Sequence, residues 1–331
     1  MHADQAVLKR EAAPAGDFSG LDVAIVPLPA LGDLTLYLRL GWLFHGAGAH
    51  VTLYSDALYP ARGYFRWLTV LPQGQDTLEA MAGRVDLLIA YRRQDKDSTW
   101  GHVVPENVAF VAAKRISGDT GLDGQSVMVR GRPFTGASRA FCLDPRADRT
   151  MVDWVDSYAG EVFGLAADST QVGFVRPHDT VNEDLVLIFP TTPEPRKNYW
   201  LSGFRLLARL LQRRGWNVEF VCLPSEQDAI AGALPGYTVR SFPDIKALMD
   251  HVARASTVIS NDSGGGHLGS MMGLATFTIT RRKEKFVWRP GFNNLNTVVY
   301  PRFRFKWLGR YVWRPFVPVW RIARQMGQPG R

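Results

Sequence analysis

The chain predicts an α/β fold of two facing Rossmann-like domains with a cleft between them. Three observations carry this. Apolar runs of strand length alternate with helical patterns throughout, and each half repeats the order strand, polar loop, helix, strand. The segment Ser256–Gly273, STVISNDSGGGHLGSMMG, then joins a β-branched strand to a helix through a tight glycine turn.

Taken in order, Val23-Ala24-Ile25-Val26 is the first strand, and the turn Pro29–Asp33 leads into a helical pattern through Leu34, Leu38, Leu40, Leu43 and Phe44. Gly46 and Gly48 close that helix, and His50–Tyr54 is the next strand. Val85–Ala90 and Val108–Val111 read as further buried strands, as in a parallel sheet covered on both faces. In the second half Leu185–Phe189 is a strand, followed by a proline-rich loop from Pro190 to Asn198. A helix Tyr199–Arg214 follows, with apolar positions at Leu201, Phe204, Leu207, Leu210 and Leu211 and Gly215 as its stop. Strand Val218–Leu223, helix Ile245–Ala255, strand Thr257–Ile259 and strand Ala275–Ile279 complete the pattern. The polar stretch 165–182 marks a boundary. The expected division is a flexible leader 1–20, domains 21–175 and 176–300, and a basic aromatic segment 301–331.

Hydrophobic content of 46% and charged content of 21% are those of a soluble globular protein. No apolar run has the length of a bilayer span, and the polar N-terminus lacks the apolar stretch of a signal peptide. Two cysteines, Cys142 and Cys222, are too few for a disulfide framework or a structural zinc site, which fits a cytoplasmic setting. Cys222, in a strand pattern, is expected to be buried and inert. The net charge of +8 points to an anionic partner: nucleic acid, an anionic membrane or a phosphorylated substrate. From Arg281 onward there are thirteen lysines and arginines against the single acid Glu284.

The predicted loops around Asp33, Lys197 and Asp262 all follow strands, so all three belong on the carboxyl edge where such sheets bind ligands. After Asp262, the glycines and the free amides of a helix start suit a phosphate or pyrophosphate; the plainer reading is a loop that only turns the chain. Thr191, Thr192 and Lys197 could hold a phosphate, or form a solvated loop. Asp33 reads either as a helix cap or as a general base standing free in the cleft. His267 is either a packed histidine or a phosphate contact. No metal-ligand spacing and no Ser-His-Asp pattern is present.

Together these pieces resemble glycosyltransferase family 9, the ADP-heptose:lipopolysaccharide heptosyltransferases, which have the GT-B fold. Gly32-Asp33-Leu34 is similar to the family's N-terminal Gly-Asp turn. Lys197-Asn198-Tyr199-Trp200 resembles its Lys-x-Trp segment, with the tryptophan one place later, and Asp262-Ser263-Gly264-Gly265-Gly266-His267 its Asp-[Ser/Thr]-Gly-x-x-His signature. The resemblance implies an inverting, metal-independent and cofactor-free transfer of heptose, or a related sugar, from ADP-heptose to a lipid-linked saccharide of the lipopolysaccharide core. It makes Asp33 the catalytic base. Donor binding falls to Thr191, Thr192, Lys197, Glu226, Asp262, Ser263, Gly264, Gly265 and His267, with Glu226 on the nucleotide ribose. It also implies a cytoplasmic enzyme, peripheral at the inner face of the membrane.

The chain departs from the family pattern in two places. Thr280-Arg281-Arg282 stands where the family commonly has Gly-Pro-Thr, and Gly265-Gly266 where it often has leucine and serine. The segment Phe303–Phe316 interleaves aromatic and basic residues, which suits either an anionic lipid interface or packing back on the first domain. No nucleic-acid module is recognisable. A UDP- or GDP-sugar transferase and a non-catalytic binder of nucleotide sugars or anionic glycans remain the alternative readings.

Overall fold

The computed structural model describes residues 16–74, 76–91, 104–114, 124–174, 176, 182–282 and 285–329. The first sheet takes β1 (Asp22–Val26), β2 (His50–Tyr54), β3 (Thr69–Leu71), β4 (Leu87–Tyr91), β5 (Val108–Lys114) and β8 (Ala140–Cys142). Its order is β3-β2-β1-β4-β5-β8, with every pairing parallel. Between β5 and β8 lies an antiparallel hairpin of β6 (Gln125–Val129) and β7 (Arg132–Ser138). The second sheet takes β9 (Leu185–Phe189), β10 (Asn217–Val221), β11 (Thr238–Arg240), β12 (Thr257–Asn261), β13 (Ala275–Ile279) and β14 (Asn296–Val299). Its order, β11-β10-β9-β12-β13-β14, is again parallel throughout. Both sheets therefore reverse direction beside their first strand, between β1 and β4 and between β9 and β12. Such a switch point opens a crevice at the carboxyl end of the sheet.

The helices are α1 (Leu31–Gly46), α2 (Leu78–Ala82), α3 (Met151–Tyr158), α4 (Leu201–Gln212), α5 (Gln227–Ala233), α6 (Ile245–Val252), α7 (Gly264–Met271) and α8 (Trp320–Met326). All five residues of β9 are buried, as its unbroken apolar run requires. Thr77, Thr150 and Asp244 cap α2, α3 and α6 with side-chain hydrogen bonds. In contrast α1, α4 and α7 start at Ala30, Trp200 and Ser263 without any side-chain cap, leaving first-turn amides unclaimed by side chains. These three helices follow β1, β9 and β12, the strands at the two switch points.

Most sequence-expected elements are present with shifted ends. The helix expected to reach Arg214 ends at Gln212, and the one expected to reach Ala255 ends at Val252. Three strands of the main sheets (β3, β8 and β11) span only three residues each, too short for a periodic signal. The β6–β7 hairpin turns through Arg130 and Gly131, both with positive φ (47° and 80°), without the usual Asn-Gly signal.

One apolar core runs through both domains, joining β1 and α1 side chains such as Ile25 and Leu36 to Leu187, Val258 and Leu268. Phe18 is fully buried against Phe44 and Phe163, so the first domain's packing begins ahead of the expected start at residue 21. Residues 1–15 of the expected leader, and residues 175 and 177–181 at the expected boundary, lie outside the described residues. Among the described residues the C-terminal segment packs on the second domain rather than on the first. Trp313, Val317, Val319 and Ile322 pack with Val186, Phe204, Leu207 and Phe220 of the second, because α8 lies along α4.

Candidate functional site

The two carboxyl edges enclose a cavity of about 930 Å³. All ten residues singled out in the sequence line it: Asp33 from the first domain, and Thr191, Thr192, Lys197, Glu226, Asp262, Ser263, Gly264, Gly265 and His267 from the second. The convergence follows from topology. The loops of Lys197 and Asp262 leave the neighbouring parallel strands β9 and β12 in the same direction, and the loop of Asp33 leaves β1 of the other sheet.

Glycines set how closely the walls approach. A methyl group on Gly264 would stand 2.8 Å from Leu31 Cβ and 3.1 Å from the Gly32 backbone nitrogen. On Gly265 it would meet the Phe189 ring at 2.6 Å, and on Gly266 the Ser260 hydroxyl at 2.6 Å. These glycines therefore let α7 lie directly on its own sheet and on the start of α1. Two helix N-termini meet at the cleft, and their dipoles favour negative charge there.

The lysine loop is held from below. Asn261, fully buried at the end of β12, accepts from the Tyr199 N–H at 2.9 Å and donates to the Pro190 carbonyl at 2.7 Å. Thr192 Oγ1 lies 2.8 Å from Asn198 Oδ1 and accepts from the Glu194 N–H, closing the loop on itself. Lys197 Nζ then stands 3.5 Å from Asp262 and 3.7 Å from Glu194. Across the cavity floor, the Thr191 hydroxyl donates to Glu226 at 2.8 Å, and the Leu223 N–H donates to the same carboxylate oxygen at 3.2 Å.

Asp33 is not a cap. The N-cap position of α1 belongs to Ala30, and Asp33 sits in the first helical turn facing the cavity. Burial raises its pKa to about 6, against the opposing pull of its own backbone N–H, Lys114 and Lys197. A carboxylate tuned to that range can take up a proton near neutral pH. His267 is nearly fully buried, and burial pushes its pKa down to about 4, outweighing nearby Asp262 and a hydrogen bond to the Trp288 backbone. It is therefore a neutral imidazole, able to hydrogen-bond but not to bring positive charge. Its Nδ1 and the Ser263 hydroxyl are both buried without a hydrogen-bond partner. An unpaired buried polar atom costs about 1–3 kcal/mol, which a polar ligand at this wall would relieve.

Sequence reasoning missed two parts of the site. Phe242, Pro243, Ile245 and Leu248 join Leu223 and Pro224 in an apolar wall. Their one sequence signal is Asp244 before an apolar run, a helix cap; that this helix borders the cleft depends on the place of β11. Lys114, at the end of β5, lies 5.4 Å from the Trp288 ring centroid, and burial and then Arg282 hold its pKa below the usual lysine range. Cys222 is buried as expected, with its thiol pushed up to about 11 by burial. Among the described residues no cluster of three His, Cys, Asp or Glu side chains could hold a metal ion.

Residues 143–302 match the sequence model of glycosyltransferase family 9 (heptosyltransferase). The second half of the chain is thus similar to that family. The matched region spans the second sheet and every donor-side residue named above, while Asp33 lies outside it. Solved structures extend the likeness to both domains, which share the GT-B fold. The glycosyl transferase family 9 protein from Veillonella parvula superposes with a TM-score of 0.60 at 13% identity, covering 88% of this chain and 90% of that one. E. coli heptosyltransferase WaaC with ADP gives 0.58 at 15%, covering 84% and 92%. E. coli ADP-heptose LPS heptosyltransferase II gives 0.61 at 12%, covering 92% and 97%. A search of curated proteins found no match. The family is one of glycosyltransferases, and its sequence model covers the wall opposite Asp33.

Proposed function

We propose that the protein is an inverting, metal-independent glycosyltransferase that moves heptose, or a related sugar, from ADP-heptose to a lipopolysaccharide core acceptor. It would act in the cytoplasm at the inner face of the membrane. One observation carries this reading. A single cavity sets a proton-accepting carboxylate, Asp33, against a wall of lysine, hydroxyls and helix-start amides on the other domain.

Asp33 takes the proton from an acceptor hydroxyl, and the freed oxygen attacks the anomeric carbon as its bond to the donor diphosphate breaks. The leaving diphosphate gathers negative charge as it departs. Lys197 and the first-turn amides of α7, with Ser263, Gly264 and Gly265, are placed to meet that charge. Thr191 and Thr192 shape the same loop, Asp262 holds Lys197, and neutral His267 offers a hydrogen bond. The nucleoside lies along the apolar wall of Leu223 and Phe242, with Glu226 toward the ribose. E. coli WaaC has been solved with ADP and with ADP-2-deoxy-2-fluoro heptose, which favours an adenine nucleotide here as well.

Calorimetric titration with ADP, UDP and GDP tests the donor, alongside Lys197→Ala. ADP should bind best, and the variant should weaken it by roughly tenfold or more, the loss of one charge-assisted contact to a diphosphate. A preference for UDP or GDP would keep the transferase and change the sugar. Binding of none of the three would overturn the donor assignment in favour of a non-catalytic glycan binder.

A further inference from the structure

The donor site leaves unused a second concentration of chemistry, at the C-terminal end. Strands β15 (Phe305–Trp307) and β16 (Arg310–Val312) form an antiparallel hairpin in which Trp307 pairs with Arg310. Leu308 and Gly309 therefore make a two-residue turn, and both have positive φ, 47° and 74°. Such a turn favours Asn-Gly, and an L-residue with a branched apolar side chain is poorly suited to it. Here the leucine is also 90% exposed, with Trp307 beside it at 65%, and Phe303, whose ring meets Phe316, is 69% exposed. Neither turn chemistry nor solubility accounts for an apolar tip of this kind.

Below the tip, Arg281, Arg282, Arg304, Tyr311 and Trp313 line a pocket of about 220 Å³. Arg281 and Arg282 are set there by β13, whose last residue, Ile279, pairs with Asn261, so the pocket lies on the same sheet edge as Asp262. Arg304 donates to the Arg281 carbonyl at 3.0 Å, and Trp313 anchors the far wall in the second domain's core. Among the described residues no ion pair involves Arg281, Arg282, Arg302, Arg304 or Lys306. Guanidinium groups gathered with no ion-paired carboxylate among the described residues suit a phosphate.

We infer that this hairpin and its arginine pocket are a docking site for an anionic phospholipid surface. Arg281, Arg282 and Arg304 take a headgroup phosphate, while Trp307 and Leu308 enter the acyl boundary. Aromatic and aliphatic side chains ringed by arginine and lysine fit that interface on both counts, apolar and charged. The orientation has a consequence for the site already described. Arg314 donates to the carbonyls of Asn198 at 2.5 Å and Pro195 at 3.1 Å, so the hairpin's base is fastened to the Lys197 loop. A lipid-borne acceptor would thereby meet the cleft edge directly. This surface deepens the membrane-facing part of the proposed function and does not depend on which nucleotide binds.

Co-sedimentation with vesicles tests it, using phosphatidylglycerol mixed into phosphatidylcholine against phosphatidylcholine alone. The protein should bind the anionic vesicles selectively and lose that binding with rising salt. The exposed pair Trp307→Ser/Leu308→Ser and the pair Arg281→Gln/Arg304→Gln should each lower vesicle binding by roughly tenfold or more. Nucleotide titration and circular dichroism, unchanged in both pairs, would show that the fold and the donor site are intact. Equal binding to both vesicle types, or full binding by the serine pair, would overturn the proposal. So would complete displacement by millimolar glycerol phosphate with no effect of the serine pair, which would mark a soluble-phosphate site. A dimer in lipid-free solution that the serine pair dissociates would assign the tip to a second copy of the chain.

Discussion

At the scale of single residues, Asp33 and His267 show how burial outweighs nearby charges and hydrogen bonds. Both side chains line one cavity, from opposite domains, yet burial moves the carboxyl up to about 6 and the imidazole down to about 4. If Asp33 is the base, kcat/KM should fall about tenfold per pH unit below pH 6 and level off above it, since only the deprotonated form accepts the acceptor proton. Asp33→Asn should reduce kcat by roughly 10²–10⁴-fold while ADP binding is retained. Undiminished turnover in that variant would remove Asp33 from the chemistry. The same shift has a stability side. The folded pKa lies above the ordinary 3.8, so folding favours the protonated acid. That stability is fully present below about pH 4 and is lost as pH rises through about 6. Asp33→Asn should then unfold later than the parent at pH 7, by about 1–3 kcal/mol, and alike at pH 3.5. Urea titration at the two pH values checks this. The residue types of the site were legible in the sequence because each stands just after a strand. Whether Asp33 capped a helix or faced the cleft was not legible, since both roles use the same residue at nearly the same place.

At the scale of elements, the glycine run of α7 serves close approach. In place of the tight turn expected from the sequence it forms the first turn of the helix itself, and it lets the helix touch Phe189, Ser260 and the start of α1. Gly264→Ala should destabilise the fold by about 1–3 kcal/mol, because the nearest atoms include the Gly32 backbone, which cannot step aside as a side chain can. It should also weaken ADP binding by moving the α7 amides. Gly232→Ala is the contrasting case, in α5 with nothing within 4 Å of the added methyl. It should stabilise by about 0.4–1 kcal/mol through the unfolded chain. Equal effects of the two substitutions on the melting temperature would show that helix propensity, not close approach, governs α7. The sequence marked these glycines as a place where backbone meets a ligand. The structure shows that they also serve helix-to-sheet and domain-to-domain contact, which no local pattern distinguishes from a phosphate loop.

At the scale of the whole molecule, two switch points face each other, and the continuous apolar core between them fixes their separation. Tyr64 of the first domain donates to Asp250 of α6, and the Met151 N–H donates to the Val287 carbonyl at 2.9 Å, adding polar ties across the joint. The chain end belongs to this architecture as well. Trp313 is only 1% exposed within the second domain's core, so Trp313→Ala should cost about 3–5 kcal/mol. It should also loosen the Lys197 loop, to which the neighbouring Arg314 is bonded. A loss below about 1 kcal/mol in urea unfolding would mean that the core closes without it.

The sequence by itself determined the strand and helix pattern, the doubled α/β plan and the loops that carry the site. Each of these depends on local periodicity and on residue types at strand ends, which are written along the chain. Tertiary structure alone decided that ten such residues share one cavity, that Phe242 and Leu248 wall it and that Trp313 to Met326 pack on the second domain. These are consequences of strand order and packing between residues distant in sequence, and no spacing along the chain encodes which edge a strand will join.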